Sequence, residues 1–174
     1  MSDADSSNAI QLRVGWLSCQ ELRAALDGSG VLLNASAEVL LNCEIFDQQS
    51  LETLQVVRYT VGQLGITSDA TLSAIFRRAH EAGLSLCPTI TGPYLRLAMA
   101  DQASAPDSVM SNGSAPSGSI TVASAPLDDT NVLPKGFYLR SVKNVLWLRG
   151  YRATEEHLWS LDDCFAFTMG ELIT

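Results

Sequence analysis

The chain has 174 residues, of which 47% are hydrophobic and 17% charged, and 19 acidic against 11 basic side chains leave a net charge of −8. That is ample apolar material for a folded unit near the usual domain size of ~150 residues, so a wholly disordered chain is excluded, and the scarcity of lysine and of heptads excludes a coiled coil. An acidic surface argues against nucleic acid and against anionic membranes as partners.

Residues 1–9 are small and polar and predict a flexible tail. Met1-Ser-Asp-Ala-Asp-Ser-Ser-Asn8 has neither the basic region nor the apolar region of a signal peptide. No apolar run is long enough to span a bilayer, so the expected location is cytoplasmic, with no membrane partner. Cys19, Cys43, Cys87 and Cys164 are spaced far wider than a CxxC pair. They read as free thiols or small buried hydrophobes.

Ser18-Cys-Gln-Glu21 has the form of a capping box and opens a helix through Leu22, Ala25 and Leu26, stopped by Gly28-Ser-Gly30. Residues 35–42 predict a second, short helix. Leu54 to Val61 is rich in β-branched and aromatic residues and predicts a strand closed by Gly62 and Gly65. The clearest helix spans 69–82, capped by Thr67 or Ser68, with Leu72, Ile75, Phe76 and Ala79 on one face and Gly83 as its stop. Leu84 to Leu97, interrupted by Pro88, Gly92 and Pro93, predicts an edge strand or a strand–loop–strand.

Residues 101–118 are poor in apolar side chains and predict a mobile loop or linker. A strand follows at Ser119–Ser124. The stretch beyond Pro134 is short for an independent domain. The expectation is therefore a single α+β domain over 1–174, with N-terminal helices packed on a mostly antiparallel sheet and a C-terminal β-hairpin.

That hairpin comprises Phe137–Val142 and Val145–Tyr151 around Lys143-Asn144. Placing Val142 opposite Val145 puts Tyr138, Arg140, Trp147, Arg149 and Tyr151 on one face, with Phe137, Leu139, Leu146 and Leu148 on the core face. Lys135, Arg140, Lys143, Arg149 and Arg152 make residues 135–152 a basic island without an acid. Arginine interleaved with aromatics can grip an anionic ligand or stack on a flat one. Tyr138, Arg140, Trp147, Arg149 and Tyr151 are accordingly the candidate ligand-binding residues.

No catalytic signature emerges. Gly113-Ser-Ala-Pro-Ser-Gly118 has the glycine spacing of a phosphate loop, but Ser119-Ile120 stands where Lys-Ser/Thr is required. His80 reads as a solvated helix-face residue. His157 lies near Glu155, Glu156, Asp162, Asp163 and Cys164, and a thiol-dependent hydrolase or transferase would use Cys87, or Cys164 with His157. No metal site and no cofactor is implied.

Thr60-Val-Gly-Gln-Leu-Gly65, Gly83-Leu-Ser-Leu-Cys-Pro88, Gly92-Pro-Tyr-Leu-Arg-Leu97, Phe137-Tyr-Leu-Arg140, Val145-Leu-Trp-Leu-Arg-Gly-Tyr151 and Trp159-Ser-Leu-Asp-Asp163 occur in this order. Over residues 50–167 the chain resembles an uncharacterised family of short bacterial cytoplasmic proteins. Some of these are catalogued as helicases, a label that the degraded phosphate loop does not support. The resemblance implies no catalytic residue. The expected role is a non-enzymatic binding or interaction module acting through the hairpin. Its partner would be a protein, a peptide, a small anionic ligand or a second copy of the chain. A thiol-dependent enzyme and a single-stranded nucleic-acid binder are the alternatives.

Overall fold

The structure is a computed structural model that describes residues 9–48, 50–105, 118–130 and 132–169. The expected flexible tail, apart from Ala9, and residues 106–117 of the expected loop lie outside the described residues.

Among the described residues, four α-helices form where the local chemistry allows. Helix α1 (Cys19–Gly28) starts at the capping box: the Ser18 hydroxyl accepts from the Glu21 N–H at 3.1 Å, and the Glu21 carboxylate accepts from the Ser18 N–H at 2.8 Å. Helix α2 (Ala35–Leu41) is capped by Asn34, whose side-chain oxygen accepts from the Ala37 N–H at 2.8 Å. Helix α3 (Leu72–Glu81) is capped by Thr71. It begins later than Thr67 or Ser68 would place it because Ala70 pairs in extended form with Trp159, exchanging both backbone hydrogen bonds.

Helix α4 (Thr91–Ala98) corrects the extended reading of Leu84–Leu97. Pro93 is its third residue, where the missing N–H would have no intrahelical acceptor, so the proline is tolerated. Gly92 lies so close to the strand carrying Phe137 that a Cβ there would lie 2.6 Å from two side-chain carbons of Phe137. The residues that read as strand breakers thus serve a helix start and a close helix–sheet contact.

Among the described residues, eight strands form one sheet: β1 (Ile10–Val14), β2 (Leu32–Leu33), β3 (Glu52–Thr60), β4 (Leu84–Ser85), β5 (Ile120–Val122), β6 (Gly136–Val142), β7 (Val145–Tyr151) and β8 (Cys164–Met169). Their order is β1-β3-β8-β5-β6-β7-β2, with β4 pairing on β8. The sheet is mixed: β5 runs parallel to β8 and β2 parallel to β7, while the other pairs are antiparallel. Strand β8, which follows the β6–β7 pair in sequence, returns to the middle of the sheet between β3 and β5. Strands β1, β2 and β8 are those the sequence reading left unassigned.

Both faces of this sheet carry apolar clusters. One packs α1, α2 and α4 through Leu22, Leu26, Leu40, Leu41, Tyr94 and Leu95 against Leu139, Leu148, Ile120 and Ala166. The other packs α3 and the segment around Trp159 through Ile75, Ala79 and Trp159 against Val57, Tyr138, Tyr151, Phe165 and Phe167. Strand β8 shows the alternation directly, with Cys164 and Ala166 on the first face and Phe165 and Phe167 on the second.

Candidate functional site

Strands β6 and β7 are joined at Lys143 and Asn144, both with positive φ (51° and 62°), as a tight primed turn requires. Asparagine tolerates this region; a lysine there is uncommon. The register sets Tyr138 opposite Arg149, Arg140 opposite Trp147 and Val142 opposite Val145. All five nominated side chains therefore share one face of the ladder.

Their surroundings divide them. Tyr138 and Tyr151 are each only 8% exposed and belong to the second core, where Tyr151 meets the Trp159 ring edge-on at 5.8 Å. Burial pushes the Tyr151 phenol well above its ordinary pKa. Arg140 is buried as well, at 4% exposure. Trp147 and Arg149 are half-buried. The Arg149 guanidinium carbon stands 4.2 Å from the Trp147 ring centre, the geometry of a cation–π contact of about 0.5–2 kcal/mol. Among the described residues that indole is its only partner: its Nε is buried without a hydrogen bond, and no carboxylate reaches it.

Beside them, Leu32 of β2 is the register partner of Trp147, so it projects from the same face, and it is 47% exposed. The accessible surface is therefore an apolar and cationic strip of Leu32, Trp147 and Arg149. The two tyrosines support it from within the core.

The sequence reading missed what lies beneath this strip. Arg96, on α4, is fully buried. Its Nη1 donates to the Gln102 side-chain oxygen at 2.6 Å, to the Trp147 carbonyl at 3.3 Å and to the Arg140 carbonyl at 3.5 Å; its Nη2 donates to the Met99 carbonyl. The acceptors are all neutral, and desolvation lowers its pKa to about 10. Arg96 thus pins the last turn of α4 to β6 and β7 at the very pair, Arg140 and Trp147, that shapes the outer strip. Reading 84–97 as extended concealed it.

The thiol candidates are not assembled for nucleophilic chemistry. Cys87 is 3% exposed, donates to the Ala166 carbonyl at 3.5 Å, and is pushed up to about 12 by burial. Such a thiol stays protonated and inert near neutrality. Cys164 packs on the first face of the sheet, whereas His157 lies edge-on to Trp159 of the second face, with ring centres 5.1 Å apart. The sheet stands between sulfur and imidazole. Burial raises the Cys164 pKa, with Arg58 opposing that shift and Asp163 adding to it. Asp163 instead accepts from the Ser160 N–H at 2.8 Å and fixes the turn before β8. Among the described residues, no three His, Cys, Asp or Glu side chains cluster as a metal site would need, and no helix is long and apolar enough to cross a membrane.

Searches against family models, curated proteins and solved structures find no match to this chain.

Proposed function

We propose that this protein is a non-enzymatic interaction module whose Leu32–Trp147–Arg149 strip receives a carboxylate-bearing segment of a partner protein. The observation that carries the reading is Arg149. Its guanidinium is half-buried, is held over an indole, and meets no carboxylate among the described residues. A desolvated cation in this state gains more from an arriving carboxylate than a fully hydrated one does. The basic island of residues 135–152 supplies complementary charge for an acidic segment, while Leu32 and Trp147 supply apolar area.

The test is fluorescence anisotropy of a labelled Glu- and Leu-rich decapeptide titrated with the protein. The expected result is saturable binding that weakens by about tenfold in Arg149→Ala and in Trp147→Ala, the loss of one charge-assisted contact or one aromatic anchor. Arg13→Ala, an exposed change on the distant β1 edge, leaves binding intact. Absence of binding, or equal binding by all three variants, rejects the proposal.

A further inference from the structure

We infer that Arg96 is a specificity-determining charge of the docking strip: a buried cation without a counterion, acting through the sheet to favour anionic over neutral ligands on Trp147 and Arg149. The inference rests on the reading of that strip as a docking surface and adds what selects its ligand.

Helix α4 packs on the first face of the sheet, whereas Trp147 and Arg149 project from the face that Tyr138 and Tyr151 share. Arg96 reaches from α4 to the backbone of the β6–β7 pair, with Nη1 3.3 Å from the Trp147 carbonyl oxygen and 3.5 Å from that of Arg140. Its charge therefore lies against the backbone of the residue whose indole carries the Arg149 guanidinium.

Charge balance sets Arg96 apart. It is 0% exposed, and every oxygen it meets among the described residues, on Gln102, Met99, Arg140 and Trp147, belongs to an amide. Neither ion pair among those residues involves it. A buried cation that lacks a carboxylate carries a desolvation cost with no Coulombic return. The Gln102 oxygen stands 2.6 Å from Nη1, where the carboxylate of a glutamate would neutralise the charge, and the chain places the isosteric amide there. Away from water the charge is weakly screened, so its field adds to that of Arg149 at the outer face. An acidic segment approaching a chain of net charge −8 gains from that field, and a neutral segment does not.

The test exchanges Gln102, which lies outside the strip. Gln102→Glu supplies the missing counterion and keeps an acceptor for Nη1. Gln102→Met removes the same amide donors, which serve the Gly118 and Leu139 carbonyls, and leaves Arg96 without a counterion. Fluorescence anisotropy of the labelled Glu- and Leu-rich decapeptide is followed with the natural chain and with each variant. Gln102→Glu should bind about three- to tenfold more weakly than the natural chain, and Gln102→Met within about twofold of it. The Trp147 indole resonance of the unliganded protein should keep its position in both variants. Equal affinity of all three chains, or equal weakening in both variants, overturns the inference and leaves the strip in place. Weakening in Gln102→Glu with a displaced Trp147 resonance is a change of shape and overturns it too. Absence of binding by the natural chain rejects the strip itself, and the inference with it.

Discussion

Arg96 and Cys87 show how single buried groups govern this molecule. The Arg96 guanidinium reaches four neutral oxygens in two directions, which a planar fork does and a lysine ammonium cannot. Arg96→Lys and Arg96→Met should each lower unfolding stability by about 3 kcal/mol, since either leaves buried carbonyls unpaired. Urea midpoints at pH 7 check this, and a loss below half that size would mean water replaces the guanidinium without penalty. Cys87 makes a pH-dependent contribution. Its thiol ionises near 9 when unfolded and near 12 when folded. The folded state thus favours the protonated form, so this stabilisation is complete below pH 9 and is lost as pH rises from 9 to 12. At pH 10 part of this stabilisation is lost, on the order of 1 kcal/mol. Cys87→Ala should therefore destabilise less than the natural chain does between pH 7 and pH 10, by about that amount. Identical pH profiles would contradict the assigned burial.

At the scale of elements, one asparagine organises the outer border of the sheet. The Asn34 side-chain oxygen accepts from both the Ala37 and the Gly150 N–H groups, and its amide nitrogen donates to the Gly150 carbonyl at 3.1 Å. It caps α2 and, at the same time, occupies the β7 edge just past the two-residue strand β2, as a neighbouring peptide would. Asn34→Ala should cost about 2–3 kcal/mol, the sum of a lost cap and lost edge bonds. Asn34→Asp keeps both acceptors and should cost less. Gly150 is the counterpart: a Cβ there would lie 2.7 Å from the Ser36 carbonyl carbon and 2.9 Å from the Ala37 nitrogen. Gly150→Ala must displace α2 from β7, with an expected loss of about 1–3 kcal/mol by thermal unfolding.

These elements also show what was legible beforehand. Ser18 to Glu21 announced α1 through its capping residues, and the β-branched run at 54–61 announced β3, because both signals are local. Two residues between two strand-like runs were enough to indicate the Arg140–Trp147 pairing. Helix α4 was hidden because Gly92 and Pro93 are ambiguous: they break strands, yet they also suit a helix start lying close to a sheet. Asn34 was hidden because its second role depends on Gly150, distant in sequence.

At the scale of the whole molecule, covering both sheet faces decides which nominated residues are available. Alternation along β6 and β7 separates a polar-aromatic face from a core face, but it cannot say that α3 and the Trp159 segment close over part of the former. Tyr138 and Tyr151 are buried for that reason, and the same sheet keeps Cys164 apart from His157. What remains accessible is a cationic strip on a chain of net charge −8. Binding through such a strip should weaken as salt shortens the range of attraction, and an anisotropy series between 50 and 300 mM sodium chloride should show a steady loss of affinity.

Docking on Trp147 and Arg149 is read out by the three tryptophan indole resonances in a 15N–1H spectrum during titration with the acidic decapeptide. The Trp147 signal should move and saturate, while Trp159, 4% exposed in the core, and Trp16, 52% exposed beside Tyr94, should stay in place. Movement of Trp16 with a stationary Trp147, or no movement of either at saturating peptide, would contradict the account.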